Sequence, residues 1–186
     1  SKGEFQLKDG STKQVDMMSQ TSDFTFVDTK NAKLAALPYV GDNASMIVAL
    51  PDKDTSLEQF EQNLSADTFE RLEMEGSNKR VELQMPKFDY KSEFNLTETL
   101  SDMGMPTAFS GQADFSGMSP ESLLIQSIIH KATVTVDEKG TEAAAATGVV
   151  VGETAVPQTV EMRLNRPFVF AIKDHETNSI LFVGRV

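Results

Sequence analysis

The 186-residue chain reads as an α+β protein. Three observations predict this. Strand-forming runs crowd the first fifty residues, helical spacing appears between residues 55 and 103, and strand runs return from residue 122 to the end. Strands and helices that are segregated along the chain, rather than alternating singly, indicate α+β architecture. No internal repeat and no domain boundary interrupts the pattern, and the length suffices for one domain with a real core.

The elements follow in order. Residues 5–7 and 13–18 are predicted as short strands about Lys8-Asp9-Gly10, because Asp-Gly is a hairpin signal. Residues 24–27 (FTFV) alternate like a half-buried strand. Residues 33–40 form the next strand, with Pro38 placing it at an edge or near its end. Residues 45–50 (SMIVAL) are apolar throughout, which predicts burial on both faces. Thr55-Ser56 suits the cap of a helix carrying Leu57, Phe60 and Leu64. Ser65 starts a second helix with Phe69, Leu72 and Met74, and Gly76 ends it. Residues 80–88 form a strand that Pro86 interrupts, and residues 90–96 are strand-like. Residues 97–103 form a short helix stopped by Gly104, and residues 107–118 a loop with buried phenylalanines. Residues 122–137 are predicted as the longest strand, followed after Pro157 by strands at 159–164, 167–173 and 180–186.

Composition excludes several function classes. A net charge of −11 argues against nucleic acid and against an anionic membrane surface as partners. No run approaches the ~20 apolar residues that cross a bilayer. The absence of cysteine removes disulfides and thiolate metal sites. The two histidines are far apart, so no metal site is expected. His175 lies in a polar turn as a solvated residue, and His130 lies mid-strand as a hydrogen-bonded structural one. There is no Gly-x-Ser-x-Gly elbow, phosphate loop or dinucleotide fingerprint, so neither an enzyme nor a bound cofactor is expected. Asn43, Asn63 and Asn95 each open an Asn-x-Ser/Thr triplet, which acts as a glycosylation acceptor only in a eukaryotic secretory setting.

The most unusual stretch is 138–157, EKGTEAAAATGVVVGETAVP. Four alanines suit a helix, threonine and valine suit a strand, and three glycines loosen both. Composition alone favours a plain linker. One detail favours a segment that changes conformation. Read as a strand, Thr141, Ala143, Ala145, Thr147 and Val149 share one face, all small and uncharged, while Glu142 falls on the other. A linker has no need of that alternation, but a strand inserting into a buried sheet does.

The residues resemble the serpin family over essentially the whole chain. IHKATVTVDEKGTEAAAATG (129–148) is similar to the family's hinge signature, and NRPFVFAIKDHETNSILFVGRV (165–186) to its carboxyl-terminal signature. LPYVGDNASMIVALP (37–51) and FSGQADFSGM (109–118) match as well.

The resemblance implies the serpin fold, a multi-sheet β structure with peripheral helices. It implies an inhibitor that traps serine proteases, sometimes cysteine proteases, as a suicide substrate. The reactive loop is cleaved, the protease is acylated, and the loop inserts as a new strand of the main sheet. The hinge falls on Glu138, Gly140, Thr141, Glu142, Ala143, Ala144, Ala145, Ala146 and Thr147. His130 matches a buried histidine beneath the opening sheet. Family spacing from Glu138 places the reactive bond at Thr154-Ala155, with Glu153 and Val156 as neighbours. Without Arg or Lys nearby, an elastase- or subtilisin-like target is favoured. Members are about twice this length, so the chain is expected to be the carboxyl-terminal part of a single serpin domain. Hinge and reactive loop then lie at about 138–160, and the amino-terminal half is a required partner. An extracellular setting is favoured. The competing expectations are a non-inhibitory carrier or chaperone, and a piece inactive without its other half.

Overall fold

A tight turn at Lys8-Asp9-Gly10 opens the fold, as the sequence predicts. Asp9 accepts from the Ser11 amide (2.9 Å) and hydroxyl (2.6 Å), and Gly10 takes φ +83°, where a side chain would be strained. The turn joins strands β1 (Lys2–Gln6) and β2 (Thr12–Asp28) in antiparallel register. The computed structural model describes residues 1–138 and 158–186. They divide into two compact units, one of Ser1–Phe88 with Val136–Val186 and one of Asp89–Thr135.

The first unit is built on an eight-stranded sheet. Its other strands are β3 (Ala32–Pro38), β4 (Ala44–Pro51), β5 (Ser77–Pro86), β8 (Val160–Arg163), β9 (Val169–Asp174) and β10 (Ile180–Arg185). The order across it is β10-β9-β4-β3-β2-β5-β8, with β1 beside β2. All pairings are antiparallel except β5 with β8. Pro38 closes β3, where its missing N–H breaks no ladder within the strand. β4 is central and buried almost throughout, as its apolar run predicts.

The helices α1 (Leu57–Gln62) and α2 (Ala66–Glu75) cover one face of this sheet. A reciprocal capping box starts α1: Gln59 N donates to Ser56 Oγ (3.2 Å) and Ser56 N to Gln59 Oε1 (3.0 Å). Leu57, Phe60, Phe69 and Leu72 pack on Leu34, Ile47, Ala49, Val169 and Ala171. Met74 is exposed, since a two-residue step from Leu72 leaves the buried stripe. Gly76 ends α2 at negative φ rather than in the left-handed cap. Glycine is needed there because a Cβ would overlap the Leu72 carbonyl and lie 2.8 Å from Thr25 Cγ2. Phe168, just before β9, and Phe170 on it alternate with the helix-facing Val169 and Ala171, and Phe88 packs on both, with ring centroids 6.3 and 5.3 Å away.

The second unit holds most of a two-stranded sheet, β6 (Phe88–Asn95) with β7 (Ile129–Val136), the helix α3 (Thr97–Asp102) and a 3₁₀ turn at Pro106–Phe109. Phe109 and Phe115 are half-buried, not buried, because the Ser, Gly, Gln and Asp residues around them give little apolar cover.

Two strand expectations are corrected. The segments 13–18 and 24–27 belong to one long strand, β2, because polar Ser19 to Asp23 pair with β5 from Gln84 to Arg80. The backbone ladder carries a stretch whose side chains read as loop. Conversely, residues 122–128 are not strand. Their backbone groups bond elsewhere: Ile125 N to Ala108 O (2.9 Å), Ile128 N to Thr97 Oγ1 (3.0 Å) and Leu96 N to Ile128 O (2.9 Å).

Candidate functional site

The described residues flank the segment that carries most of the predicted site. Gly140 to Thr147, Glu153, Thr154, Ala155 and Val156 all lie outside them. The geometry of the two anchors is therefore what the structure contributes.

The first anchor is the end of β7. Its even-numbered side chains turn inward, with Val134 and Val136 buried, and its odd-numbered ones turn outward. Outward-facing Lys131 pairs with Glu93 (3.0 Å), and Thr135 Oγ1 donates to Asp89 (3.3 Å). Two residues past the strand, Glu138 forms an ion pair with Lys87. The side-chain hydrogen bond from Lys87 holds the Glu138 carboxyl below its ordinary value of 4.5. The same bond raises the Lys87 ammonium above its ordinary 10.5. Lys87 sits at the break between β5 and β6, and its amide donates to Asp16 O (2.8 Å), so the cation is mounted on the main sheet. Sequence reasoning did not single out Lys87, since no local pattern links it to Glu138.

The second anchor is β8. It runs parallel to β5, with Val160 opposite Val81 and Arg163 opposite Gln84. Leu164 N donates to Gln84 O (2.8 Å), and Arg163 pairs with Glu161. Lys87 lies six residues beyond Val81 along the chain, so the anchors are about 20 Å apart along the β5 direction. The edge of β7 away from β6 carries no strand among the described residues.

His130 shares the inward-facing side of β7 with Val134 and Val136 but is itself exposed, where the resemblance implies burial. Among the described residues its sheet has two strands, and no further strand of it closes over this end of β7. His175 is exposed yet not merely solvated. Its Nδ1 donates to Asp42 O (2.7 Å), which leaves Nε2 of the neutral ring to accept from buried Ser45 Oγ (2.9 Å). The histidine thereby ties the β9–β10 turn to the start of β4. Among the described residues, no helix is long and apolar enough to cross a membrane.

The comparisons with known proteins agree with this architecture. The family model described as "Serpin (serine protease inhibitor)" matches residues 1–186. The chain belongs to the serpin family. It is 40% identical to a serpin-like protein of Methanosarcina acetivorans over 98% of its own length and 43% of that protein. It is 41% identical to human Serpin B4 over 93% of its own length and 46% of that protein. Among solved structures, the thermophilic serpin tengpin in the native state matches with a TM-score of 0.82 and 31% identity, over all of this chain and 49% of tengpin. Thyroxine-binding globulin in complex with thyroxine matches with a TM-score of 0.83 and 31% identity over the same shares. The chain thus spans less than half the length of these relatives.

Proposed function

We propose that this chain is the carboxyl-terminal part of a serpin domain that inhibits a serine endopeptidase as a suicide substrate. The observation that carries the reading is the uncharged, small-residue alternation from Thr141 to Val149, set directly after β7 in a member of this family. Cleavage at Thr154-Ala155 frees the segment from the β8 anchor. The segment then folds back beside β7, whose edge away from β6 carries no strand among the described residues and so can pair with a new one. Insertion buries one face, and an ionised side chain there would cost several kcal/mol in desolvation. The small residues avoid that cost. The uncleaved form is metastable, its lifetime set by a kinetic barrier. The residues near the bond favour an elastase- or subtilisin-like target. The amino-terminal half of the domain is the second partner, since it would supply the strand on the far side of the slot.

The test is incubation of the complete domain with an elastase-like protease. The expected product is a covalent, detergent-resistant complex, and simple cleavage without it removes the inhibitor reading. Thr141→Arg places a charge on the inserting face and is expected to turn inhibitor into substrate; efficient trapping by that variant would show the face assignment to be wrong. The match to thyroxine-binding globulin favours a second reading, a non-inhibitory carrier. Cleavage without a gain in thermal stability would support it.

A further inference from the structure

We propose that the cleft between the β2–β3 turn, α1 and α2 binds a free α-amino acid with a carboxamide side chain. Every residue that lines the cleft lies in the first unit, and none belongs to the segment 138–157 or to its two anchors. The inference therefore stands apart from the inhibitor reading.

The cleft encloses about 370 Å³, within the range that holds a small molecule. Its floor includes Leu34 of β3 and Phe60 of α1, both buried, and its rim is polar. Asp67 and Arg71 are the two ionisable residues among those that line it. They stand four residues apart on α2, the acid nearer the amino terminus, which is the spacing and order that favour an ion pair. Yet among the described residues neither takes part in an ion pair or a side-chain hydrogen bond. A matched pair that faces a cleft and stays open leaves both charges to a ligand.

The two charges select the class of ligand. A phosphate or sulfate drawn to Arg71 would meet the Asp67 carboxylate, and a divalent cation drawn to Asp67 would meet the guanidinium. An α-amino acid satisfies both at once. Its carboxylate accepts a forked pair of hydrogen bonds from Arg71, and its ammonium donates to Asp67.

The neutral rim selects the side chain. Gln59 Oε1 already accepts from Ser56 N (3.0 Å), which leaves the N–H groups of its amide to donate. Asn63 Nδ2 already donates to Gln59 O (2.8 Å), which leaves Oδ1 to accept. An amide donor and a carbonyl acceptor one turn apart are the complement of a carboxamide, which carries one of each. An ionised carboxylate side chain brings no hydrogen to Asn63 Oδ1.

The experiment titrates the 186-residue chain with L-glutamine by calorimetry and follows its backbone amides by NMR. The expected result is saturable one-to-one binding, with shift changes confined to residues around the cleft. Arg71→Met and Asp67→Asn are each expected to weaken binding about tenfold or more, since each removes a charged hydrogen bond. Both side chains are exposed, so both variants should keep the parent Tm. L-Glutamate, and glutamine analogues that lack the ammonium or the carboxylate, should bind correspondingly less well. No saturable binding, binding that both variants leave unchanged, or shift changes away from the cleft overturns the inference. So does equal binding of L-glutamate or of an analogue that lacks either charge.

Discussion

Strands β4 and β10 lie in one sheet with only β9 between them, and both are written in nearly unbroken apolar residues. Their surroundings differ completely. β4 is flanked by β3 and β9 and roofed by α1 and α2, and Val48 and Ala49 have no exposed surface. Among the described residues β10 has a neighbouring strand on one side only, and four consecutive apolar residues are exposed. Apolar content on both faces of a strand thus reports what the strand is made to contact, not whether the contact lies within the same stretch of chain. For β4 the cover comes from β3, α1 and α2 nearby in the chain and from β9 more than a hundred residues on. For β10 the described residues supply none on the edge away from β9.

Matched substitutions would break this comparison if it is wrong. The largest contrast is between Phe170, fully buried on β9, and Phe182 on β10. Phe170→Ala is expected to lower unfolding free energy by about 3–5 kcal/mol, through lost transfer energy and the cavity left beside Phe88. Phe182→Ala is expected to cost roughly half of that or less, since much of its ring is already in water. Denaturant midpoints of the two variants measure the difference, and equal losses would mean that β10 is covered in solution. The same test on a smaller side chain pairs Val48→Ala with Val183→Ala. The first should cost about 2 kcal/mol. The second should stay within about 0.5 kcal/mol, as exposed positions do.

These contrasts mark where sequence reading succeeds. It finds β4, β3 with Pro38 near its end, the Ser56 cap and the Asp9-Gly10 turn, because each is decided by residues within a few positions. It misses the union of 13–18 and 24–27 into β2, because Ser19 to Asp23 are held by a ladder to a strand sixty residues on. It overextends β7, because the amides of 125 and 128 find partners near residues 97 and 108. The site divides in the same way. The alternation from Thr141 to Val149 is legible because it is a property of one strand's two faces. The Lys87–Glu138 contact is not, since nothing near Glu138 announces a cation fifty residues earlier, just past the end of β5. The parallel pairing of β8 with β5 is equally hidden, as register across distant segments leaves no local mark.

That ion pair supplies the smallest expected effect and sets the lower end of the comparison. Lys87 and Glu138 are both exposed, so their attraction is weak and screened by salt. The direction of its pH dependence still follows. Glu138 titrates below 4.5 when paired, so its contribution is full above that value and is lost as pH falls through the lowered one. Lys87 titrates above 10.5, so its contribution is full below that value and is lost as pH rises through the raised one. Glu138→Gln is therefore expected to lower Tm at pH 7 by about 1 °C or less in low salt. The difference from the parent should vanish once the pH falls below the Glu138 transition, and should shrink in high salt. A deficit that persisted unchanged in acid would mean that Glu138 acts through its shape or its backbone rather than its charge. The anchor at the base of the segment would then be the fold of β7 itself, and not the pair that Lys87 makes with it.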